Sequence, residues 1–295
     1  MSAQKISISI IGRNRRVVVL LAAAAFLVGC GGGGSGSGSS SGPPPVNNTQ
    51  PVQVNLGPQN NAANILYTNV TICVPGTTNC QTIQDVAVDT GSEGLRILSS
   101  QLALSLPQVT DGSGNPIANC IVFADNSYVW GPVMTADVQM AGEKASSVPV
   151  QVIGAPNFPA VPSTCNNGGT ADDTVATLGG NATIGLGVFR HDCGAGCSGS
   201  AASAPPFYFD CAASGCTVTS VLLQNQVQNP VWLFPQDNNG VLISLPSIPP
   251  GGAPTVSGSL IFGIGTQSDN ALGSASVYTT DGNGNFSTTF NGSAY

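Results

Sequence analysis

DVAVDTGSEGLRIL, residues 85–98, decides how the rest of the chain is read. Val86 and Val88 form a short apolar alternation that ends at Asp89, and Leu95 and Ile97 begin a second apolar run. Between the runs stand Thr90, Gly91, Ser92 and Glu93. Asp and Gly are common in turns for purely local reasons, so Asp-Thr-Gly alone needs no function. As a site, however, the stretch has a physical logic. A carboxylate that activates water needs a second group to take and return protons. Two close carboxyls share one proton and titrate as a unit. Gly91 lacks a Cβ and lets backbone approach closely. The hydroxyls of Thr90 and Ser92 can fix the rotamer of Asp89. The surroundings have to choose between turn and site.

Those surroundings read as all-β. Only 7% of the 295 residues are charged and 41% are hydrophobic, enough for a substantial core. Gly and Pro recur between short runs rich in Val, Ile and Thr. Strands are expected over 64–73, 82–90, 94–100, 146–154, 231–235, 240–246, 257–265, 274–280 and 285–290, and 181–189 is a short apolar run broken by two glycines. A hairpin is expected over 121–142, with its tip near Trp130–Pro132. Residues 155–181 read as loop, and 190–216 as a cysteine-rich excursion. A short helix fits 222–230. No tandem repeat is visible.

The N-terminus reads as an export signal. Lys5, Arg13, Arg15 and Arg16 precede the apolar run VVVLLAAAAFLV (17–28), which is short for a bilayer span. The run ends in LVGC (27–30), which resembles a bacterial lipobox. The resemblance implies that Cys30 is acylated and becomes the first mature residue, with 1–29 removed as a lipoprotein signal peptide. An ordinary signal peptide or a weak anchor is the plainer alternative. GGGGSGSGSSSGPPP (31–45) follows as a flexible tether, assigned to 30–47. Gly31 after Cys30 points to the outer membrane of a Gram-negative cell envelope. Without the signal, Arg96, Lys144 and Arg190 face all fourteen acidic residues, a net charge of −11. That balance argues against nucleic acid and anionic lipid headgroups as partners.

Nine cysteines suit export if one carries lipid. The remaining eight allow 105 connectivities. Short loops favour Cys73–Cys80, Cys193–Cys197 and Cys211–Cys216, which leaves Cys120–Cys165. CGAGC (193–197) follows His191 and offers a metal-binding alternative. Thiolate clusters are rare outside the cytoplasm, so disulfides are expected, with no metal and no cofactor.

The spacing of later segments resembles the pepsin-like aspartic proteases. YVWGPVMTADVQMAG (128–142) is similar to that family's flap hairpin. ATIGLG (182–187) falls where its apolar–apolar–Gly segment threads beside the catalytic loop. VSGSLIFGIG (256–265) looks like the strand and glycine turn that open its second lobe. The match covers roughly 62–290. Together with the lipobox and tether, DTGSEGLRIL and GSLIFGIGTQSDN also resemble a bacterial lipoprotein family catalogued as a domain of unknown function. The pepsin-like resemblance implies that Asp89 is a catalytic aspartate, Thr90 the buried threonine beside it, and Gly91 and Ser92 its supports. Trp130-Gly131 stands in place of the flap's Tyr-Gly, with Tyr128 two residues before. Glu93 departs from the pattern, which has a small or polar residue there.

A dyad needs a second Asp-Thr/Ser-Gly, and the sequence holds none. The expectation is therefore a double-lobed β-barrel protein with a truncated second lobe: 48–220 the first lobe, 221–295 the start of the second, and the second Asp beyond Tyr295. Three functions follow. One is an aspartic endopeptidase in its parent form. Another is a non-catalytic surface lipoprotein that binds a peptide or other ligand in the cleft. The third is a single lobe that completes its dyad by dimerising, which the length of the chain opposes; a monomer is expected.

Overall fold

The computed structural model describes residues 47–278, with three short backbone segments outside them: Lys5–Ser9, Thr289–Phe290 and Ser293–Ala294. Cys30, the signal and almost all of the tether lie outside residues 47–278.

Alternating β-branched residues make the chain a strand protein, as its composition implies. Twelve strands carry the description: β1 (Thr49–Asn55), β2 (Ile65–Cys73), β3 (Cys80–Asp89), β4 (Glu93–Leu98), β5 (Ile117–Val122), β6 (Ser127–Met140), β7 (Glu143–Ile153), β8 (Ala182–Leu186), β9 (Tyr208–Ala212), β10 (Gly215–Val218), β11 (Gly240–Ser244) and β12 (Val256–Phe262). β2, β3, β8, β4, β7 and β6 hydrogen-bond in that order, and β6 returns to β2 through Thr71↔Gln139 to Cys73↔Asp137. The ring is a closed barrel, which leaves no open edge among its six strands. β1, β12 and β11 extend one flank and β5, β9 and β10 the other.

Val70, Ile72, Val86, Ile97, Val138 and Val150 belong to the main core, and each is essentially inaccessible. Val241, Leu260 and Phe262 join the same core, and Phe234 meets Phe262 edge-on at 5.1 Å. The strands from 240 onward therefore continue the first sheet through β1 and share its core.

Four expected elements differ. The hairpin turns at Phe123–Asn126, not at Trp130–Pro132. Asp125 Oδ1 accepts the Ser127 N–H and hydroxyl at 3.0 and 2.8 Å, and Asn126 takes φ 68°. That is turn chemistry the aromatic pair lacks. Gly131 is used for packing: a Cβ there would stand 1.9 Å from the Val152 carbonyl oxygen. Residues 231–235 hold no strand. Pro230 fixes the start of a 3-10 turn, Pro230–Leu233, which Asn229 caps from its side chain onto Val231 N–H. Described residues 274–278 form no strand; 279–288 lie outside the description. The helix expected within 222–230 shrinks to a 3-10 turn, Leu223–Asn225.

The eight described cysteines form Cys73–Cys80, Cys120–Cys165, Cys193–Cys197 and Cys211–Cys216, as the spacing implies.

Candidate functional site

β8 decides the position of Asp89. It runs parallel to β3, with Gly185 opposite Asp89, and antiparallel to β4, with Gly185 opposite Gly94. The loop from Asp89 to Glu93 thus straddles the end of one strand, and ATIGLG threads beside it as expected. Gly185 is required at this crossing. A Cβ there would lie 2.5–2.6 Å from the backbone N, C and Cα of Glu93.

Within the loop the carboxylate is fixed twice. Gly91 N–H donates to Asp89 Oδ1 at 2.8 Å, and the Ser92 hydroxyl donates to Oδ2 at 2.5 Å. Thr90 is exposed instead of buried, because Gly91 and Ser92 already fill the roles a supporting hydroxyl would take.

Asp89 and Val88 open onto a cleft of about 590 Å³. The β5–β6 turn covers one wall with Phe123 and Asp125, while Asp172 and Leu178 line another. The turn at 123–126, and not Tyr128 or Trp130, lines the cleft beside Asp89. Trp130 and Tyr128 line a different, smaller cavity of about 260 Å³ together with Phe158. Trp130 pairs across the hairpin with Cys120, packs edge-on against Phe209 at 5.2 Å, and donates its indole N–H to Pro159 O at 3.0 Å. Its ring serves packing at the base of the hairpin, and Gly131 lies in the same strand.

Acidity in the cleft and around the Asp89 loop is uneven. Burial raises the pKa of Asp172, and its neighbours Asp125 and Asp173 push the same way against a Ser127 hydrogen bond. Burial likewise raises Glu93, to about 7. His191 is lowered to about 4 by burial and by Arg190. The adjacent Cys193 is disulfide-bonded, and among the described residues no group of three or more His, Cys, Asp or Glu is placed to hold a metal.

Behind the Asp89 loop lies a buried polar network that no motif announces. Arg96, 1% exposed, donates from one guanidinium nitrogen to Asn119 Oδ1 at 2.7 Å and Gln151 Oε1 at 3.0 Å. The other donates to Asp192 Oδ2 and to the Glu93 carbonyl, both at 3.2 Å. Asp192 also accepts from Asn119 at 3.1 Å and from the Tyr208 hydroxyl at 2.6 Å, and that hydroxyl accepts Val227 N–H at 2.7 Å. The network ties β4, β5, β7 and β9 to the segment after β8. Its one visible sign in sequence is a cation inside the apolar run GLRIL.

A family model described as "Protein of unknown function (DUF3443)" matches residues 44–295. No curated protein matches the chain. Among solved structures, an aspartic proteinase from Irpex lacteus is similar at 15% identity and a TM-score of 0.40. The match covers 79% of this chain and 50% of that one, so this chain spans about half the length of the structure it resembles.

Proposed function

The chain belongs to the DUF3443 family of unknown function, and we propose that it is an exported, lipid-anchored envelope protein whose Asp89 cleft performs aspartic-peptidase chemistry. The observation that carries this reading is the Asp89 carboxylate, held by Gly91 N–H and the Ser92 hydroxyl at the mouth of the cleft. A pure binding surface has no need of so fixed a carboxylate. On this reading Asp89 takes a proton from water as the water oxygen bonds to the peptide carbonyl carbon. A second carboxyl protonates the carbonyl oxygen. Collapse then breaks the C–N bond and returns a proton to the leaving nitrogen.

One observation favours a second reading, a peptide-binding cleft without catalysis: the described hydrogen bonds to Asp89 come from its own loop, and Thr90 is exposed. Hydrolysis of peptide substrates across acidic to neutral pH by the full-length protein and its Asp89→Asn variant separates the two. Catalysis predicts loss of hydrolysis in the variant; equal activity in both sinks the role of Asp89. Two inert proteins with the same peptide affinity establish the binding reading. For the anchor, Cys30→Ala is expected to move the protein from the membrane fraction to the soluble one, and unchanged partitioning refutes lipidation.

A further inference from the structure

Tyr128, Trp130 and Phe158 stand around a cavity that the Asp89 cleft does not include. One short ladder separates the two. Ser127 and Tyr128 pair with Thr170 and Ala171, and the Tyr128 carbonyl accepts Asp172 N–H at 2.8 Å. Successive side chains of a strand point to opposite faces. Ser127 and Asp172 accordingly line the Asp89 cleft, while Tyr128 and Asp173 line the aromatic cavity.

The aromatic cavity has walls without spare acceptors. Trp130 and Phe158 are half-buried, with ring centres 6.1 Å apart and planes tilted by 50°. Pro159 O is taken by the Trp130 indole N–H at 3.0 Å, and Gly154 O by the Ser99 hydroxyl at 2.6 Å. Ala155 O accepts Phe158 N–H at 3.3 Å. One charge lines the space. Asp173 is exposed, and among the described residues it has no hydrogen bond and no ion pair. No cation of residues 47–278 balances it. Arg96 is spent on its buried network, Lys144 pairs with Asp137 at 2.8 Å, Arg190 donates to Gln228 at 3.0 Å, and none of the three lines the cavity.

Aromatic faces attract a cation within about 6 Å of the ring centre, and an unpaired carboxylate adds to the attraction. The kind of cation follows from the acceptors. A guanidinium carries N–H donors around its whole edge, and a primary ammonium is compact and strongly hydrated. Either would leave donors unpaired against these rings, at a desolvation cost. A fully methylated ammonium has no N–H to satisfy. The volume, about 260 Å³, falls below the roughly 300–1,000 Å³ of drug-sized ligand sites and suits a small head group. A phosphate attached to that group would meet Asp173 and no basic residue. We propose that the cavity walled by Tyr128, Trp130 and Phe158 binds a free quaternary ammonium compound of the choline class, with Asp173 as its counter-ion. The site is separate from the chemistry assigned to Asp89 and does not rest on it.

Choline titrated into the full chain at constant ionic strength tests this, followed by tryptophan fluorescence and by broadening of the choline N-methyl proton resonance. Saturable binding is expected, tighter than that of 3,3-dimethylbutanol, the uncharged carbon isostere. Phe158→Leu keeps an apolar wall and removes a ring, and should weaken choline roughly 2- to 30-fold, the range of one cation–aromatic contact. Asp173→Asn, at an exposed position, should weaken choline and leave the isostere unchanged. Choline that fails to saturate, choline and isostere bound equally, or choline affinity unchanged in both variants overturns the proposal. Phosphocholine, methylamine or arginine bound more tightly than choline overturns it as well. Should Phe158→Leu fail to fold, Asp173→Asn and the isostere comparison decide.

Discussion

Arg96→Met is the sharpest test of the buried network. The guanidinium is 1% exposed and has four hydrogen-bond partners, of which Asp192 is the carboxylate and is 2% exposed in its side chain. Methionine fills most of the volume, so the loss is mainly electrostatic. Removing one partner of a buried ion pair leaves the other uncompensated, at a cost of about 3–5 kcal/mol. At about 2–4 °C per kcal/mol for a domain of this size, thermal unfolding should fall by roughly 6–20 °C. Burial already raises the pKa of Asp192 despite Arg96, Tyr208 and Asn119. Without Arg96, Asp192 is expected to take up a proton, so the variant should recover part of its stability as pH falls. The double variant Arg96→Met/Asp192→Asn removes the stranded charge and should lose less than the sum of the single changes, with a coupling of about 1–3 kcal/mol. Scanning calorimetry and urea titration of the four proteins measure it. A loss below about 1 kcal/mol for Arg96→Met, the range of an exposed pair, refutes the account. Strict additivity of the two changes refutes it as well.

Two further outcomes follow from particular groups. Glu143 is 3% exposed, its Oε1 is unpartnered, and burial raises its pKa above 4.5, with Asp237 adding to the effect. Below 4.5 it is protonated in both states and costs nothing; above it the unfolded chain ionises first, so stability falls as pH rises towards the folded value. Glu143→Gln should remove that slope in urea midpoints measured across pH, and an unchanged slope refutes the assignment. Among the disulfides, Cys120–Cys165 spans 45 residues and Cys193–Cys197 spans 4. Chain entropy then gives roughly 4 kcal/mol for the first and about 2 kcal/mol for the second. Paired Cys→Ser variants ranked in the opposite order by denaturant midpoint would contradict this.

How much of this was legible in the sequence depended on the range of the interaction involved. Period-2 alternation located β2, β3, β4, β7, β11 and β12 to within a few residues, because each strand's pattern is set by its own two faces. Short cysteine spacings fixed three disulfides, and one remainder fixed the fourth. The misplaced hairpin tip shows the limit. Trp-Gly-Pro looks like a turn, yet Gly131 is small because the Val152 carbonyl lies against it, a contact between strands far apart in the chain. Asp125-Asn126 carried the turn signal in plain view. In 231–235 the apolar run hid a proline at its edge, and Pro230 with Asn229 made a capped turn where a strand was expected.

The site divides the same way. Asp89, Gly91 and Ser92 were legible because their bonds close within four residues. Arg96 was not, since its partners sit 3 to 96 positions away and nothing in GLRIL names them. Glu93 stands between the two cases. Its mismatch with the pepsin-like pattern is visible in sequence, but its surroundings are assembled only by the fold: a half-buried carboxyl with one long contact to Phe189 N–H at 3.4 Å, and Arg96 turned to its backbone carbonyl. The stretch 85–98 therefore contains the Asp89 carboxylate, held by Gly91 and Ser92, and the half-buried Glu93. It also contains Arg96, the cation that ties the Glu93 carbonyl to Asn119, Gln151 and Asp192. Fourteen consecutive residues build the local half of a site whose electrostatics are set from Asn119, Gln151, Asp192 and Tyr208. A substitution at any of those four should alter the titration of Glu93 without touching the loop, and Tyr208→Phe is the mildest: it removes one donor to Asp192 and leaves the ring. If Asp192 then holds its charge less well, it takes up a proton and relieves Glu93, whose midpoint falls. A Glu93 midpoint that stays in place in Tyr208→Phe would show that the loop and the network are neighbours without being coupled.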